Sequence, residues 1–202
     1  ETVIGDANGF LPEDQVISWA IQLCDVLAYV HGHKPDPIIF RDMKPSNVMI
    51  NHNGDVVLVD FGIAKTFQSG QKGTMIGTEG YSPPEQYRGE ATPLADIYSL
   101  GATLHHTITR RDPRLEPPFS FAERPIRRIN PNVSTEFEAV IATALQYNPA
   151  ERFPNTAAMK EALLNVARKT GVLSKVVSAL PVSSGGVKPL WSFKCEDEIR
   201  GT

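Results

Sequence analysis

Cysteine is scarce in this chain, which contains two cysteines among its 202 residues. Cys24 falls within an apolar helical pattern and Cys195 lies near the C-terminus. Two isolated cysteines form neither a disulfide framework nor a zinc site, because both need regularly spaced partners. We therefore expect reduced thiols. We also expect no metal site at the histidines that lack companions at ligand spacing: His31, His33, His105 and His106.

A strong excess of charge of one sign is also missing. The chain has 20 Lys and Arg residues against 23 Asp and Glu residues, which gives a formal net charge of −3 at pH 7. Nucleic-acid binding requires a basic surface, and attachment to anionic membranes requires polybasic clusters. The composition therefore predicts no nucleic-acid partner and no electrostatic membrane anchor.

Long apolar runs are absent too. No apolar stretch reaches the roughly 18 residues of a membrane-spanning helix, and no signal-peptide pattern is present. We therefore expect a cytoplasmic protein without a membrane segment. The hydrophobic fraction of 41% is enough to bury one helical core.

The regular patterns that are present predict a mostly α fold. A first helix is expected from about residue 11 to residue 32, because its apolar residues recur at helical spacing: Val16, Trp19, Ala20, Leu23, Leu27 and Val30. Further helices are predicted over residues 94–110, 134–146 and 156–169, the last capped by Asn155 or Thr156. Residues 111–132 form a proline-rich connection with a short helix.

A small β-hairpin is predicted between residues 48 and 59. Residues 48–50 and 56–59 are short apolar runs, and the polar turn between them contains Asn53-Gly54. A hairpin brings the residues that flank its two strands to the same end. Asn47 and Asp60 are therefore expected to converge.

Three motifs surround this hairpin in a fixed order. Residues 40–47 read Phe-Arg-Asp-Met-Lys-Pro-Ser-Asn, residues 60–62 read Asp-Phe-Gly, and residues 83–85 read Pro-Pro-Glu. Each alone is weak, since an Asp beside a turn is usually a cap or a solvated turn former. Together they resemble the protein kinase family, and Gln86 after the Glu resembles its bacterial (Hanks-type) Ser/Thr branch. Residues 40–47 are called the catalytic loop below.

The resemblance implies transfer of the γ-phosphoryl group of ATP with Mg²⁺ (or Mn²⁺). Metal ions with oxygen ligands neutralise the charge on the phosphate, and Asn47 and Asp60 stand at the metal-binding positions. Asp42 stands where a carboxylate orients the attacking hydroxyl, and Lys44 where a cation steadies the phosphate. Met49 is expected to lie under the adenine ring.

Other matched positions are expected to hold the site together. Asp96 should accept hydrogen bonds from the catalytic-loop backbone, with a helix N-cap as the alternative. Glu85 and Arg152 should form a buried ion pair that fixes the position of the segment.

Phe40 departs from the family pattern, which usually has a histidine there. Phe40 can keep the apolar contact with Phe61 of the Asp-Phe-Gly triplet, which Gly62 completes, but it cannot make the histidine's hydrogen bond. We expect weaker coupling between the two loops and do not infer inactivity.

The substrate class follows from the same resemblance. Lys44 lies two residues after Asp42, as in Ser/Thr rather than Tyr kinases, and Thr78 occupies the position that hydrogen-bonds to both. Protein substrates with Ser or Thr acceptors are therefore expected.

A regulatory role is implied for Arg41, since an arginine before the catalytic Asp meets a phosphorylated residue in related kinases. Thr74 and Ser69 are the candidate phosphosites, including sites of autophosphorylation. The alternative is that residues 68–74 form an ordinary flexible loop.

The resemblance covers the C-terminal lobe of a kinase domain, over residues 1–169. Residues 1–9 are too few and too rich in turn formers to hold the ATP-binding sheet, so no glycine-rich loop, strand lysine or helix glutamate can be assigned. We expect a mostly α, kinase-like C-lobe without its N-lobe, which by itself is inactive and binds ATP poorly.

The last 33 residues differ in composition. Residues 170–188 predict a linker of Ser, Gly, Val and Pro. Residues 189–202 resemble the first strand of a PQQ-like β-propeller repeat, with a disordered tail as the alternative.

Two classes of function remain open from the sequence. One is a Ser/Thr protein kinase whose catalytic lobe is this chain. The other is a pseudokinase-like module that binds partner proteins without chemistry. Retention of Asp42, Lys44, Asn47 and Asp60 favours the enzyme, because a binding module has no physical need for metal ligands.

Overall fold

The computed structural model describes residues 9–60, 65–66 and 77–178 of the chain. Seven α-helices lie in this part: α1 (Glu13–His31), α2 (Pro84–Tyr87), α3 (Pro93–Thr109), α4 (Ile126–Ile129), α5 (Thr135–Ala144), α6 (Thr156–Lys169) and α7 (Leu173–Ser178). Four short 3-10 helices accompany them, at Pro45–Asn47, Pro113–Leu115, Phe121–Glu123 and Pro149–Glu151. The predicted mostly α fold is confirmed.

Helix α1 is the centre of the core. It contacts α3, α6 and α7 on its sides and strand β3 near its middle. Its buried face is wider than an amphipathic stripe, because residues 16–24 are all buried, including the polar Ser18 and Gln22. Gln22 Oε1 accepts a hydrogen bond from the Val56 N–H at 2.8 Å, whereas Gln22 Nε2 and the Ser18 hydroxyl have no hydrogen-bond partner within the described ranges.

Side-chain caps define where the later helices begin. Thr92, Ser134 and Asn155 cap α3, α5 and α6, each by accepting a hydrogen bond from a backbone N–H of the first turn. Asn155 rather than Thr156 therefore caps α6. The cap at Ser134 also connects to α1, since Glu13 Oε1 accepts the Ser134 hydroxyl at 2.7 Å.

The predicted hairpin is present. Strands β2 (Val48–Ile50) and β3 (Val56–Leu58) pair antiparallel, with Val48 opposite Leu58 and Ile50 opposite Val56. A second antiparallel pair joins β1 (Ile38–Ile39) and β4 (Lys65–Thr66). Strand β1 precedes the catalytic loop in sequence, whereas β2, β3 and β4 follow it.

The segment predicted as a linker begins with a helix. Helix α7 lies inside the range 170–188, packs against α1 and α6, and buries Val176 completely. The lack of a clean period in the sequence concealed a six-residue helix that packs the buried Val176 and the partly buried Leu173 against the core. Helix α6 is therefore not the last helix. The predicted β-propeller strand lies outside the described residues.

Cys24 is a free thiol within the core. Burial raises the pKa of this thiol to about 12, so it stays protonated at neutral pH. Cys195 lies outside the described residues.

None of the helices in the described ranges is both long and apolar enough to cross a membrane.

His105, in α3, generates a prediction about pH. Its side chain is buried, and its Nε2 lies 3.0 Å from the Arg124 carbonyl oxygen. Burial lowers the pKa of His105 to about 4 from an ordinary value of 6.5. Between these two pKa values, the imidazole is protonated in the unfolded chain and neutral in the folded chain. The free energy of unfolding therefore falls as the pH drops through this range.

We expect this group to remove up to about 3 kcal/mol of stability between neutral pH and pH 4. Urea unfolding at pH 7.5, 6 and 5 should show a shallower loss for His105→Gln than for the unmodified chain. The exposed His33→Gln variant is the control and should keep the full slope. Equal slopes in all three proteins would contradict the assignment.

Candidate active site

The catalytic loop is anchored to α3 by Asp96, which is fully buried. Its Oδ2 accepts a hydrogen bond from the Phe40 N–H, and its Oδ1 accepts one from the Arg41 N–H, both at 2.8 Å. The N-cap of α3 is Thr92, so the alternative role of Asp96 as a cap is wrong. The predicted bonds to the loop backbone are confirmed.

Two further anchors of the loop were not predicted. His31, in the last turn of α1, places its Nε2 2.7 Å from Asp96 Oδ2. Thr103 is buried in α3, and its single hydroxyl hydrogen is shared between the Ser99 carbonyl at 2.8 Å and the Met43 carbonyl at 3.1 Å. Sequence reasoning considered His31 only as a metal ligand, since nothing in the local sequence pairs it with a residue 65 positions away.

Asp42, Lys44 and Thr78 form a triangle at the surface of the loop. The Thr78 hydroxyl donates to Asp42 Oδ1 at 2.5 Å and accepts from Lys44 Nζ at 2.8 Å. Lys44 Nζ also lies 2.7 Å from Asp42 Oδ2. The carboxylate and the ammonium are 11% and 23% exposed, so both are partly accessible to solvent. The contact predicted for Thr78 is confirmed.

Asn47 and Asp60 meet at the same end of the hairpin, as predicted. The Val59 N–H donates to the Asn47 carbonyl at 2.9 Å, which closes the hairpin beside both residues. Asn47 Nδ2 donates to the backbone oxygen of Asp42 at 2.8 Å and to its Oδ2 at 3.0 Å. The amide nitrogen thus faces Asp42, and the amide oxygen is the atom with metal-ligand chemistry.

Asp60 is exposed and has a left-handed backbone, with φ of 62°. This conformation is uncommon for a residue other than glycine and is frequent at functional turns. Phe61 and Gly62 lie outside the described residues, so the predicted contact between Phe40 and Phe61 stays a prediction. Phe40 itself is fully buried.

The donor set fits Mg²⁺ better than a softer metal, because it consists of one carboxylate and one amide oxygen. In the described ranges, no three His, Cys, Asp or Glu side chains converge to hold a metal ion by themselves. A cation at Asn47 and Asp60 would therefore need additional oxygen ligands, which phosphate groups supply. Met49 lies on β2, two residues after Asn47, and offers an apolar surface that is 49% exposed.

The predicted ion pair between Glu85 and Arg152 is present and buried. Arg152 Nη1 and Nη2 donate to the two carboxylate oxygens of Glu85 at 2.5 and 3.0 Å. The remaining donors reach carbonyl oxygens, and the guanidinium lies 4.9 Å from the ring centroid of Tyr98. All five N–H donors of Arg152 are thus used, which is the condition under which such a pair is tolerated in a core.

The loop that carries Thr78, residues 77–82, is held by α2 and α3. Tyr81 places its hydroxyl 2.6 Å from Nδ1 of His106 in α3. Burial raises the pKa of Tyr81 and lowers the pKa of His106, which favours the neutral form of both groups. Gln86 in α2 donates to Ser82, which donates in turn to the Thr78 carbonyl. These contacts were not predicted from the sequence.

Arg41 is 6% exposed, and its backbone is left-handed, with φ of 69°. Burial lowers the pKa of its guanidinium, and the charge of Asp96 opposes this shift. The candidate phosphosites Thr74 and Ser69 lie outside the described residues. The predicted contact of Arg41 with a phosphorylated residue therefore stays a prediction.

A sequence model of the protein kinase domain matches residues 2–164, which is most of the chain. The chain belongs to the protein kinase family. The catalytic loop, the hairpin and the helical bundle described above are thus those of a kinase domain, and the mostly α architecture is what the family implies.

Curated relatives place this kinase sequence near bacterial Ser/Thr kinases. It is 38% identical over 166 residues to the serine/threonine-protein kinase PknA of Nostoc sp., covering 77% of this chain and 29% of that protein. It is 34% identical to PknB of Mycobacterium leprae and 36% identical to PknB of Mycolicibacterium smegmatis, each match covering 79% of this chain and 27% of the relative. The chain therefore spans less than a third of the length of these relatives.

The buried ion pair generates a prediction about stability. Arg152→Met leaves the Glu85 carboxylate buried without a partner, which should lower the free energy of unfolding by about 3–5 kcal/mol. Lys160→Met breaks the exposed pair with Asp25 and should cost less than about 1 kcal/mol. Denaturant unfolding of both variants measures the difference.

The double variant Glu85→Met/Arg152→Met distinguishes a lost attraction from a stranded charge. Because it removes both charges, it should be more stable than Arg152→Met alone. Equal losses for the Arg152 and Lys160 variants would show that the Glu85 carboxylate has another partner.

Proposed function

We propose that this chain is the catalytic lobe of a Ser/Thr protein kinase that transfers the γ-phosphoryl group of ATP to serine or threonine hydroxyls of proteins. The main support is the triangle of Asp42, Lys44 and Thr78, in which a carboxylate and an ammonium surround a hydroxyl. In this proposal an acceptor hydroxyl binds between the two charged groups in the way that the Thr78 hydroxyl does.

Asp42 acts on the acceptor in this proposal. Its carboxylate accepts a hydrogen bond from a hydroxyl, as it does from Thr78, so it can orient the attacking oxygen and take its proton late in the reaction. Lys44 supplies a positive charge within 2.7 Å of the same carboxylate and steadies the charge on the transferred group. Asn47 holds Asp42 in place through its Nδ2.

Asn47 and Asp60 would hold Mg²⁺ (or Mn²⁺) through oxygen atoms, and Met49 would support the adenine of ATP. When bound, the metal and the nucleotide supply charge neutralisation and the phosphoryl group itself. The residues that hold ATP from the other side belong to an N-terminal lobe in this family. We propose that this chain by itself binds ATP poorly and is inactive.

Protein substrates, autophosphorylation at Thr74 or Ser69, and ordering of that segment by Arg41 are further parts of the proposal. The buried position of Arg41 beside Asp96 supports the last, since a phosphate there would meet a guanidinium attached directly to the catalytic loop. A cytoplasmic location is also proposed, which the reduced Cys24 supports.

Asp60→Ala tests the chemistry in a protein in which a complete ATP-binding lobe precedes Glu1. We expect the rate of phosphate transfer from labelled ATP to casein to fall by about a thousandfold or more, because a metal ligand is lost. Asp42→Ala should also lose about a hundredfold to ten-thousandfold. Asp25→Ala, an exposed aspartate paired with Lys160, is the matched control and should retain the full rate.

Phosphate transfer by Asp60→Ala at the rate of the control would refute the assignment of the metal site. Absence of transfer in the unmodified two-lobe protein, with normal folding, would favour the alternative of a module that binds proteins without chemistry.

ATP binding by this chain alone tests the proposed need for a second lobe. Calorimetric titration with Mg²⁺ and ATP should give a dissociation constant weaker than about 1 mM, equivalent to less than about 4 kcal/mol. The two-lobe protein, titrated in the same buffer, should bind ATP more tightly. Micromolar binding by the chain alone would refute this part of the proposal.

A further inference from the structure

Gln86 is a buried amide that lies between the two loops of the proposed active site. It is 2% exposed, in the short helix α2. Its Nε2 donates to the carbonyl oxygen of Arg41 at 2.9 Å and to the hydroxyl of Ser82 at 3.1 Å. A side-chain amide nitrogen has two donors, so one nitrogen bridges the catalytic loop and the Thr78 loop.

The bond to Arg41 fixes the residue that precedes Asp42. Arg41 has a left-handed backbone, which residues other than glycine adopt only when neighbours impose it. The Arg41 N–H donates a hydrogen bond to Asp96 at 2.8 Å, and the Arg41 carbonyl oxygen accepts one from Gln86 at 2.9 Å. Both sides of this residue are therefore fixed by buried side chains, and its backbone direction sets where the Asp42 carboxylate points.

The bond to Ser82 continues to the other side of the site. The Ser82 hydroxyl donates to the Thr78 carbonyl at 3.1 Å, and the Thr78 hydroxyl donates to Asp42. The contacts thus form a closed ring through Arg41, Asp42, Thr78, Ser82 and Gln86. This ring is small and mostly shielded from water, so a change at one member shifts its neighbours.

Gly77 shows how closely this ring is packed. Its φ is 146°, and a Cβ atom built on it would overlap the Gln86 Nε2 and the Ser82 hydroxyl. Glycine at this position therefore leaves the space that the amide occupies.

We propose that Gln86 is a positioning residue for phosphoryl transfer, which sets the distance between the Asp42 carboxylate and the Thr78 loop by bridging Arg41 and Ser82. The inference rests on the proposed kinase function and adds a residue to it. Gln86 does not touch the reacting atoms. Its neighbour Glu85 holds α2 to Arg152, so the same helical turn connects a rigid ion pair to the catalytic loop.

Displacement of a catalytic group by a fraction of an ångström lowers the rate of the chemical step more than it lowers binding of a distant ligand. Gln86→Met keeps the length of the side chain and removes both donors. In the two-lobe protein we expect kcat for a Ser/Thr protein substrate to fall about tenfold to a hundredfold. The KM for ATP should change less than about twofold, because the ring does not include Asn47 or Met49.

Gln22→Met is the matched control. Gln22 is also a buried glutamine, 6% exposed, and its amide also bonds to a backbone atom, the Val56 N–H. It lies in α1 at the far end of the hairpin from Asp60. Both variants should lose stability in denaturant unfolding, but only Gln86→Met should lose kcat when the two are assayed well below their unfolding temperatures.

Ser82→Ala is a second variant, which changes the volume very little and should fold. It breaks the ring at another bond and should also lower kcat, by a smaller factor than Gln86→Met does. Combined with Thr78→Ala, Gln86→Met should cause little further loss, since both act through the contact to Asp42.

Three results separate the outcomes. An inactive unmodified two-lobe protein would refute the proposed function itself. An active protein in which Gln86→Met and Gln22→Met have equal kcat would overturn the positioning role alone. Losses that multiply fully in the Gln86→Met/Thr78→Ala variant would also overturn it, because independent effects multiply whereas effects through one contact do not.

Discussion

The buried carboxylate of Asp96 is the interaction on which the arrangement of the site depends. A charge without exposure to water is stable in a protein only when several donors surround it. Asp96 accepts two backbone N–H bonds from the catalytic loop and lies 2.7 Å from the imidazole of His31. The cost of burying this carboxylate therefore enforces the position of Phe40 and Arg41, and through them the position of Asp42. Helix α3 also holds the loop at Met43 through the hydroxyl of Thr103.

The Thr78 side of the site depends on the buried ion pair of Glu85 and Arg152. Arg152 uses every donor on Glu85 and on carbonyl oxygens, which fixes α2 relative to the helices behind it. Gln86 extends from α2 to the Thr78 loop, and Tyr81 within that loop contacts His106 in α3. Asp96 thus anchors the catalytic loop, the pair of Glu85 and Arg152 anchors α2, and Gln86 in α2 bridges the two loops. The triangle of Asp42, Lys44 and Thr78 forms where the loops meet. Anchoring these loops places polar side chains such as Asp96, Glu85 and Arg152 within the buried part of the chain.

Much of this arrangement could be predicted from the sequence, because several motifs occur together in a fixed order. The helix α1 followed from apolar residues at helical spacing, and the hairpin followed from two short runs and an Asn-Gly turn. The bonds of Asp96, the contact of Thr78 and the pair of Glu85 with Arg152 followed from the family resemblance. Helix α7 was missed, since a six-residue helix with one buried valine leaves no readable period.

The sequence by itself determined the kinds of chemistry that are present: carboxylates, an amide, an ammonium and the order in which they occur along the chain. It also determined the hydrophobic periods that make the helices and the hairpin. Only the tertiary structure decided which polar side chains hold these groups, namely His31, Thr103, Ser82 and Gln86. The physical reason is that hydrogen bonds are short and directional, so a partner 45 or 65 positions away is selected by how the helices pack and leaves no mark in the local sequence.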